Sequence, residues 1–363
     1  MADILKTLLS NSAALTVFLV AASLLVSAVI AIYVLAFWQG RSISFWPPKI
    51  GAKPQPVGSP QRPDASRSAT WRPAHQGGIP SIGAGTQLMT SSGNTVLIES
   101  NSYIGVRATL MRAKDRSEKR VMVKLFWRGL NPSSDAWNEF SREDKATDGL
   151  HHRNIVETTD RGLWNGYPFL VLEFFPGGTL HDLIRSRDRM PGPEIVSIAE
   201  QIASGIDYAH SQGRVHRDIT PSNILLESDA RGRVAISDFG IAKTLGALET
   251  KITAASPGFE GTPAYVAPEV FSSNRVTPLV DIYGFGVVLF EMIAGRCPFP
   301  NVETVYELFE LKLHQPVPRL KSFRKVPDDL DQRLFDTLDP APERRPQSAR
   351  AVLSGIEQSL LSL

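Results

Sequence analysis

Val215-His216-Arg217-Asp218-Ile219-Thr220-Pro221-Ser222-Asn223-Ile224-Leu225-Leu226, followed after a short gap by Val234-Ala235-Ile236-Ser237-Asp238-Phe239-Gly240, is the stretch that decides how this chain is read. Each half joins a β-like apolar run to a polar loop. Asp218, Asn223 and Asp238 put three oxygen-bearing side chains on those loops. A carboxylate and an amide carbonyl are hard oxygen ligands of the kind Mg²⁺ takes.

The two halves resemble the catalytic loop and the metal-binding loop of eukaryotic-type (Hanks-type) serine/threonine protein kinases, in the manner of membrane-anchored bacterial members. The resemblance covers about residues 95–360. It implies an α+β, two-lobed kinase fold with a small β-rich N-lobe and a large helical C-lobe, and the use of ATP and Mg²⁺. Phosphoryl transfer leaves a protein little covalent chemistry; it needs the hydroxyl aimed in line and the phosphate charge neutralised. The family pattern gives Asp218 the substrate hydroxyl, and Asn223 and Asp238 the metal.

Upstream, Val121-Met122-Val123-Lys124 resembles the third-strand motif whose Lys touches the α- and β-phosphates. Glu139 and Glu143 compete for the partner on the next helix, expected from Asp135 to Leu150, and the spacing to His151-His152-Arg153-Asn154-Ile155-Val156 favours Glu143. Pro168 to Leu180 resembles the strand and hinge between lobes. Leu172 is then the gatekeeper, and the backbone from Glu173 to Phe175 bonds the adenine. Before Lys124 the glycine-rich phosphate loop is reduced to Tyr103-Ile104-Gly105-Val106-Arg107-Ala108, with only Gly105 remaining. Glycine lets a backbone close over phosphates, so either the grip is looser or Arg107 compensates by charge. Two further departures are Thr220, where most of the family carries a Lys on the γ-phosphate, and Thr147, where an apolar residue usually stacks on the Phe of Asp-Phe-Gly.

The segment from Asp238 to Glu269 closes with Gly-Thr-Pro-Ala-Tyr-Val-Ala-Pro-Glu, which resembles the peptide-substrate platform of serine/threonine kinases. The resemblance gives Thr262 a bond to Asp218, Glu269 an ion pair with Arg345, and Asp281 the anchoring of the catalytic loop. Arg217 precedes Asp218, the arrangement in which the Arg meets a phosphate on this segment. Thr244, Thr250, Thr253 and Ser256 offer hydroxyls, and Thr250 or Thr253, beside Lys251, is the expected site of activating autophosphorylation.

Outside the catalytic region the sequence is organised by hydropathy. Residues 1–12 form a short N-terminal segment; Ala13 to Trp38 holds no charged residue and is long enough, as a helix, to cross a hydrocarbon core of about 30 Å. Tyr33, Trp38 and Trp46 gather at its far end, as interfacial aromatics do. A cleaved signal peptide fits less well, because the apolar run is long and its leading segment barely basic. Lys6 alone precedes the span, whereas Arg41, Lys49, Lys53 and Arg62 follow it, which places the C-terminal side in the cytoplasm. Residues 39–93 read as a Pro/Gly-rich basic linker, and 94–363 as the kinase domain. The expected location is therefore the cell membrane, with the kinase domain inside.

Composition sets the remaining bounds. With 39 Lys and Arg against 37 Asp and Glu, the net charge is +2, and no nucleic-acid partner is expected. The single cysteine, Cys297, excludes an internal disulfide and a Cys-rich zinc site. The function expected is transfer of the γ-phosphate of ATP to protein hydroxyls, with self-association in the membrane favouring phosphorylation in trans. The runner-up is a pseudokinase scaffold, motivated by the reduced glycine loop and opposed by the intact Lys124, Asp218, Asn223 and Asp238.

Overall fold

A computed structural model of the chain divides it into two units, Met1–Trp71 and Arg72–Leu363. The structure describes residues 82–104, 108–126, 140–141, 143–145, 147–228, 232–239, 262–272, 277–299 and 305–363, all in the second unit. The expected span at 13–38 and most of the linker lie outside them. Among the described residues no helix is long and apolar enough to cross a membrane.

The N-terminal part is one antiparallel sheet. Its strands are β1 (Gln87–Met89), β2 (Thr95–Ile104), β3 (Ala108–Lys114), β4 (Arg120–Phe126), β5 (Thr158–Trp164) and β6 (Tyr167–Glu173), in the order β1-β2-β3-β4-β6-β5. Alternation carries it: on β3, Thr109, Met111 and Ala113 point inward. Just past β1, Thr90 makes a single antiparallel bridge to Gly162 on β5, at the other edge of the sheet. Folded structure thus starts before the boundary expected at residue 94. The reason is length: β1 has three residues and buries only Leu88, too few to show a period.

The C-terminal part is helical: α1 (Leu180–Arg185), α2 (Gly192–Ser211), α3 (Glu269–Ser272), α4 (Leu279–Ala294), α5 (Val305–His314), α6 (Asp328–Thr337), α7 (Ala349–Leu353) and α8 (Glu357–Leu361). A two-stranded ribbon, β7 (Ile224–Leu226) with β8 (Val234–Ile236), lies among them. α2 starts with Pro at its first turn and buries Ile195, Ile198, Ala199, Ile202, Ile206 and Ala209, the i, i+3, i+4, i+7 stripe of an amphipathic helix. α4 is buried on all sides and stops at Gly295, whose φ of 72° is the left-handed cap that glycine adopts freely. These two helices form the axis of one apolar core that also takes in Ile219, Ile224, Ile236 and Phe239, the residues flanking the decisive loops.

Candidate active site

Lys124 sits in the middle of β4, paired between Leu110 and Leu170, and is buried. A cation there needs anions. Its Nζ donates to Glu143 Oε1 and Oε2 at 2.9 and 2.8 Å and to Asp238 Oδ1 at 2.6 Å. Burial works against the charge, but Asp238 and Glu143 more than offset it, and the ammonium is held above the ordinary lysine range. The described residues among 140–147 are helical, and Arg161 on β5 grips this segment through Asp144, Nη1 to Oδ2 at 2.6 Å. Thr147 does not leave a loose polar group: its hydroxyl donates to the carbonyl of Glu143 at 2.9 Å, one helical turn back. Phe239 packs instead edge-on to His216, with ring centroids 4.5 Å apart.

The loop carrying Asp218 is built on Asp281, in the first turn of α4. Asp281 Oδ2 accepts from the His216 N–H at 2.8 Å, and Oδ1 from the Arg217 N–H at 2.6 Å. His210 Nε2 lies 2.8 Å from the same carboxylate. These charge-assisted bonds hold Arg217 at φ 69°, a left-handed conformation that costs a non-glycine residue on the order of 1 kcal/mol. His216 Nδ1 accepts from the Asp218 N–H at 3.1 Å, and its Nε2 donates to the Ser237 carbonyl at 2.8 Å, the pattern of a single tautomer. The Asn223 amide donates to the Asp218 carbonyl at 2.9 Å, and the Asn223 carbonyl accepts from the Ser237 N–H at 2.8 Å. The two polar loops are thus stitched together directly behind Asp238, itself at φ 64°.

This stitching decides whether the donors fit a metal. With the Asn223 NH₂ donating to the Asp218 carbonyl, its amide oxygen is not used in that bond. Two hard oxygens that leave room for water and phosphate oxygens suit Mg²⁺. Among the described residues no group of three or more His, Cys, Asp or Glu side chains is placed to hold a metal ion.

Leu172 lies between Met122 on β4 and Thr158 on β5. It belongs to a cluster with Phe126, Val156, Leu170, Phe175 and Ala235, against which Ala108, Met122, Phe140 and Leu225 pack. Met122 and Leu225 carry no motif signal in the sequence, although Met122 shares its strand face with Lys124 two residues on. The Glu173 N–H is committed to the Glu157 carbonyl at 3.0 Å, so an adenine cannot use it. The Glu173 carboxylate grips Arg233, Nη1 to Oε1 at 2.8 Å, and the guanidinium lies 4.8 Å over the Phe175 ring. Thr220 is buried at the head of the turn Pro221–Asn223, its carbonyl accepting from the Asn223 N–H.

At the far end Glu269 and Arg345 form a two-pronged pair at 2.7 and 2.7 Å, with the guanidinium fully enclosed. Gly105, Arg107, Glu139 and the hydroxyls at Thr244, Thr250, Thr253 and Ser256 lie outside the described residues, as does the side chain of Thr262.

A buried Lys–Glu pair touching a loop Asp, with an Asp and an Asn stitched behind it between a sheet and a helical body, is the arrangement the resemblance to protein kinases leads one to expect. The protein kinase domain model matches residues 104–355, and the chain belongs to that family. It is 30% identical over 238 residues to the serine/threonine-protein kinase PknL of Mycobacterium tuberculosis, covering 65% of this chain and 58% of that protein. It is 31% identical to a probable serine/threonine-protein kinase, CA_C1728, of Clostridium acetobutylicum, covering 72% of this chain and 39% of that one. The chain therefore spans less than two thirds of these relatives. The crystal structure of the M. tuberculosis PknI kinase domain superposes with a TM-score of 0.57 at 22% identity, over 78% of this chain and 99% of that one, a likeness of fold.

Proposed function

We propose that this protein is a serine/threonine protein kinase that transfers the γ-phosphate of ATP to hydroxyls of other proteins from a membrane-tethered position. The observation that carries the reading is the convergence of Lys124, Glu143 and Asp238 in one hydrogen-bonded group. Lys124 is the cation for the phosphates, and Glu143 holds it on the strand axis. Asp238 and Asn223 are the ligands for Mg²⁺, which when bound neutralises phosphate charge. Asp218 accepts the hydrogen bond of the acceptor hydroxyl and aims its oxygen along the line of transfer. Binding of the base falls to the apolar cluster around Leu172, Met122 and Leu225, side chains of the kind that pack against a flat ring. Water is kept from Lys124 by its burial, which strengthens its pull on phosphate.

The test is acceptor identity. Full-length protein given ATP, Mg²⁺ and three peptides differing only in a Ser, Thr or Tyr acceptor is expected to label the first two. Label on Tyr alone, or on free nucleotide or sugar alone, removes the reading.

The tether rests on the uncharged run at 13–38 and its basic C-terminal flank. The full chain is expected to stay with membranes through alkaline carbonate, and protease outside intact cells is expected to leave the kinase domain uncut. Extraction by carbonate refutes the span, and cleavage from outside reverses its orientation.

A further inference from the structure

α5 carries Leu308 and Phe309 on its inner face, and the next position on that stripe, i+4 from Leu308, is Lys312. An aliphatic residue would fill the place. Lys312 is instead 1% exposed, with its ammonium 5.2 Å over the Tyr283 ring and 5.6 Å over Phe299. It donates to three backbone carbonyls: Pro263 at 3.0 Å, Ala264 at 2.7 Å and Val266 at 2.7 Å. Three hydrogens meet three acceptors, the full capacity of an ammonium. The acids nearby are engaged elsewhere: Glu269 accepts from Arg345, and Glu291 accepts from the Tyr265 hydroxyl at 2.5 Å. Cys297 completes the surroundings, its Sγ 3.5 Å from the Tyr265 hydroxyl.

Burying an ammonium without a bonded carboxylate costs several kcal/mol, so its return lies in what it holds. Pro263, Ala264 and Val266 belong to the short turn that closes the Asp238–Glu269 segment. Tyr265, Val266 and Ala267 line a small pocket together with Arg217, Asp218 and Ile219. Gly284 on α4 keeps this wall close, since a Cβ there would lie 3.2 Å from Ile219. The backbone of the wall beside Asp218 is therefore held from beneath by Lys312, while Glu291 holds the Tyr265 side chain.

We infer that Lys312 is a positioning residue for the phosphoacceptor protein: it holds 263–266 in the shape that sets a substrate peptide beside Asp218, and so governs the KM for protein and not that for ATP. The inference rests on the kinase reading above. A pH signature accompanies it. Burial pushes the Lys312 ammonium down to about 7, Cys297 and Glu269 oppose this, and Arg345 adds to it. A neutral amine has two hydrogens for three carbonyls, so docking weakens as pH rises through that value. Stability moves the other way: between about 7 and the ordinary lysine value the unfolded chain binds more protons, so rising pH favours the fold. A purely structural lysine would not separate the two.

The experiment uses full-length wild type, Lys312→Met and Lys312→Arg with myelin basic protein as probe, and measures KM for probe and for ATP, kcat, and the thermal midpoint. Lys312→Met is expected to raise the probe KM about tenfold, from charge-assisted bonds lost, while the ATP KM stays within about twofold. Lys312→Arg is expected to fall between. Wild type is expected to show a probe KM that rises from about pH 6 to about pH 8.5, and Lys312→Met a flat one. An unchanged probe KM in Lys312→Met, or equal shifts for probe and ATP, overturns the inference. Should Lys312→Met not fold, Lys312→Arg is read in its place, and a probe KM unchanged there, or shifted equally with that for ATP, overturns the inference. A wild type that transfers nothing overturns the kinase reading and this inference together, whereas an active wild type with an unaltered variant overturns the inference alone.

Discussion

Replacing Asp218 by Asn is expected to lower single-turnover phosphoryl transfer by about 10³-fold, within the range for loss of a positioned acid–base group, and to leave nucleotide affinity within about twofold. The split follows from what Asp218 touches. Its backbone is held by His216 Nδ1 and by the Asn223 amide, neither of which depends on the carboxylate. The loop should therefore keep its shape with Asn in place. In the proposed function the cation and the oxygens for nucleotide are those of Lys124, Asn223 and Asp238. What the substitution removes is the anion that accepts the acceptor hydroxyl's hydrogen bond; an amide can present an N–H there and turn the hydroxyl away. Rapid-quench transfer and a fluorescence titration with nucleotide separate the two effects. Turnover unchanged in Asp218→Asn refutes the assignment, and affinity lost with turnover assigns Asp218 to the nucleotide.

Lys124→Met is expected to damage both steps and the fold as well. Removing the ammonium takes a desolvated charge from the phosphates, worth about 10²–10³ in rate. It also leaves the Glu143 carboxylate, 3% exposed, without the cation it was buried against. Breaking such a pair from one side costs about 3–5 kcal/mol, so the thermal midpoint should fall by several degrees. The pH dependence carries the sign. In wild type the Lys124 value is raised, so its contribution is complete below the ordinary lysine value and is lost only as pH rises beyond it. In the variant, Glu143 is expected to hold its proton more tightly than in the unfolded chain, so the stability deficit shrinks as pH falls from neutrality. Thermal unfolding of both proteins across this range checks it. A deficit that grows on acidification contradicts the buried-pair account, and retained activity moves the phosphate contact to another cation, with Arg107 the first candidate.

The parts legible in the sequence were those whose chemistry restricts residue type. Lys124, Asp218, Asn223 and Asp238 stand on loops and a strand that only certain side chains can serve, and the Glu143 carboxylate meets Lys124 as the spacing suggested. Illegible were contacts made by residues that ordinarily face water. Lys312 reads as a solvated lysine until α5 is seen to turn it inward, and Arg161 reads as a strand charge until it meets Asp144. β5 contains Asp160, Arg161 and Gly162, which obscure its alternation, and its pairing with β6 shifts register between Thr158 and Asp160. Arg233 gives no signal in one dimension, because its partners Glu173 and Phe175 lie some sixty residues earlier in the chain. At Thr147 a polar residue stands where an apolar one is usual, and the helix supplies its acceptor.

The central claim is that this constellation transfers phosphate and does not merely hold nucleotide. Its most direct test is incorporation of label from γ-labelled ATP into a protein acceptor by the full-length wild type, with and without Mg²⁺, beside Asp238→Ala. The account predicts Mg²⁺-dependent label on Ser or Thr in wild type and none in Asp238→Ala. A wild type that binds ATP and labels nothing, or label that persists equally in Asp238→Ala, would contradict it and leave a scaffold that keeps the kinase fold.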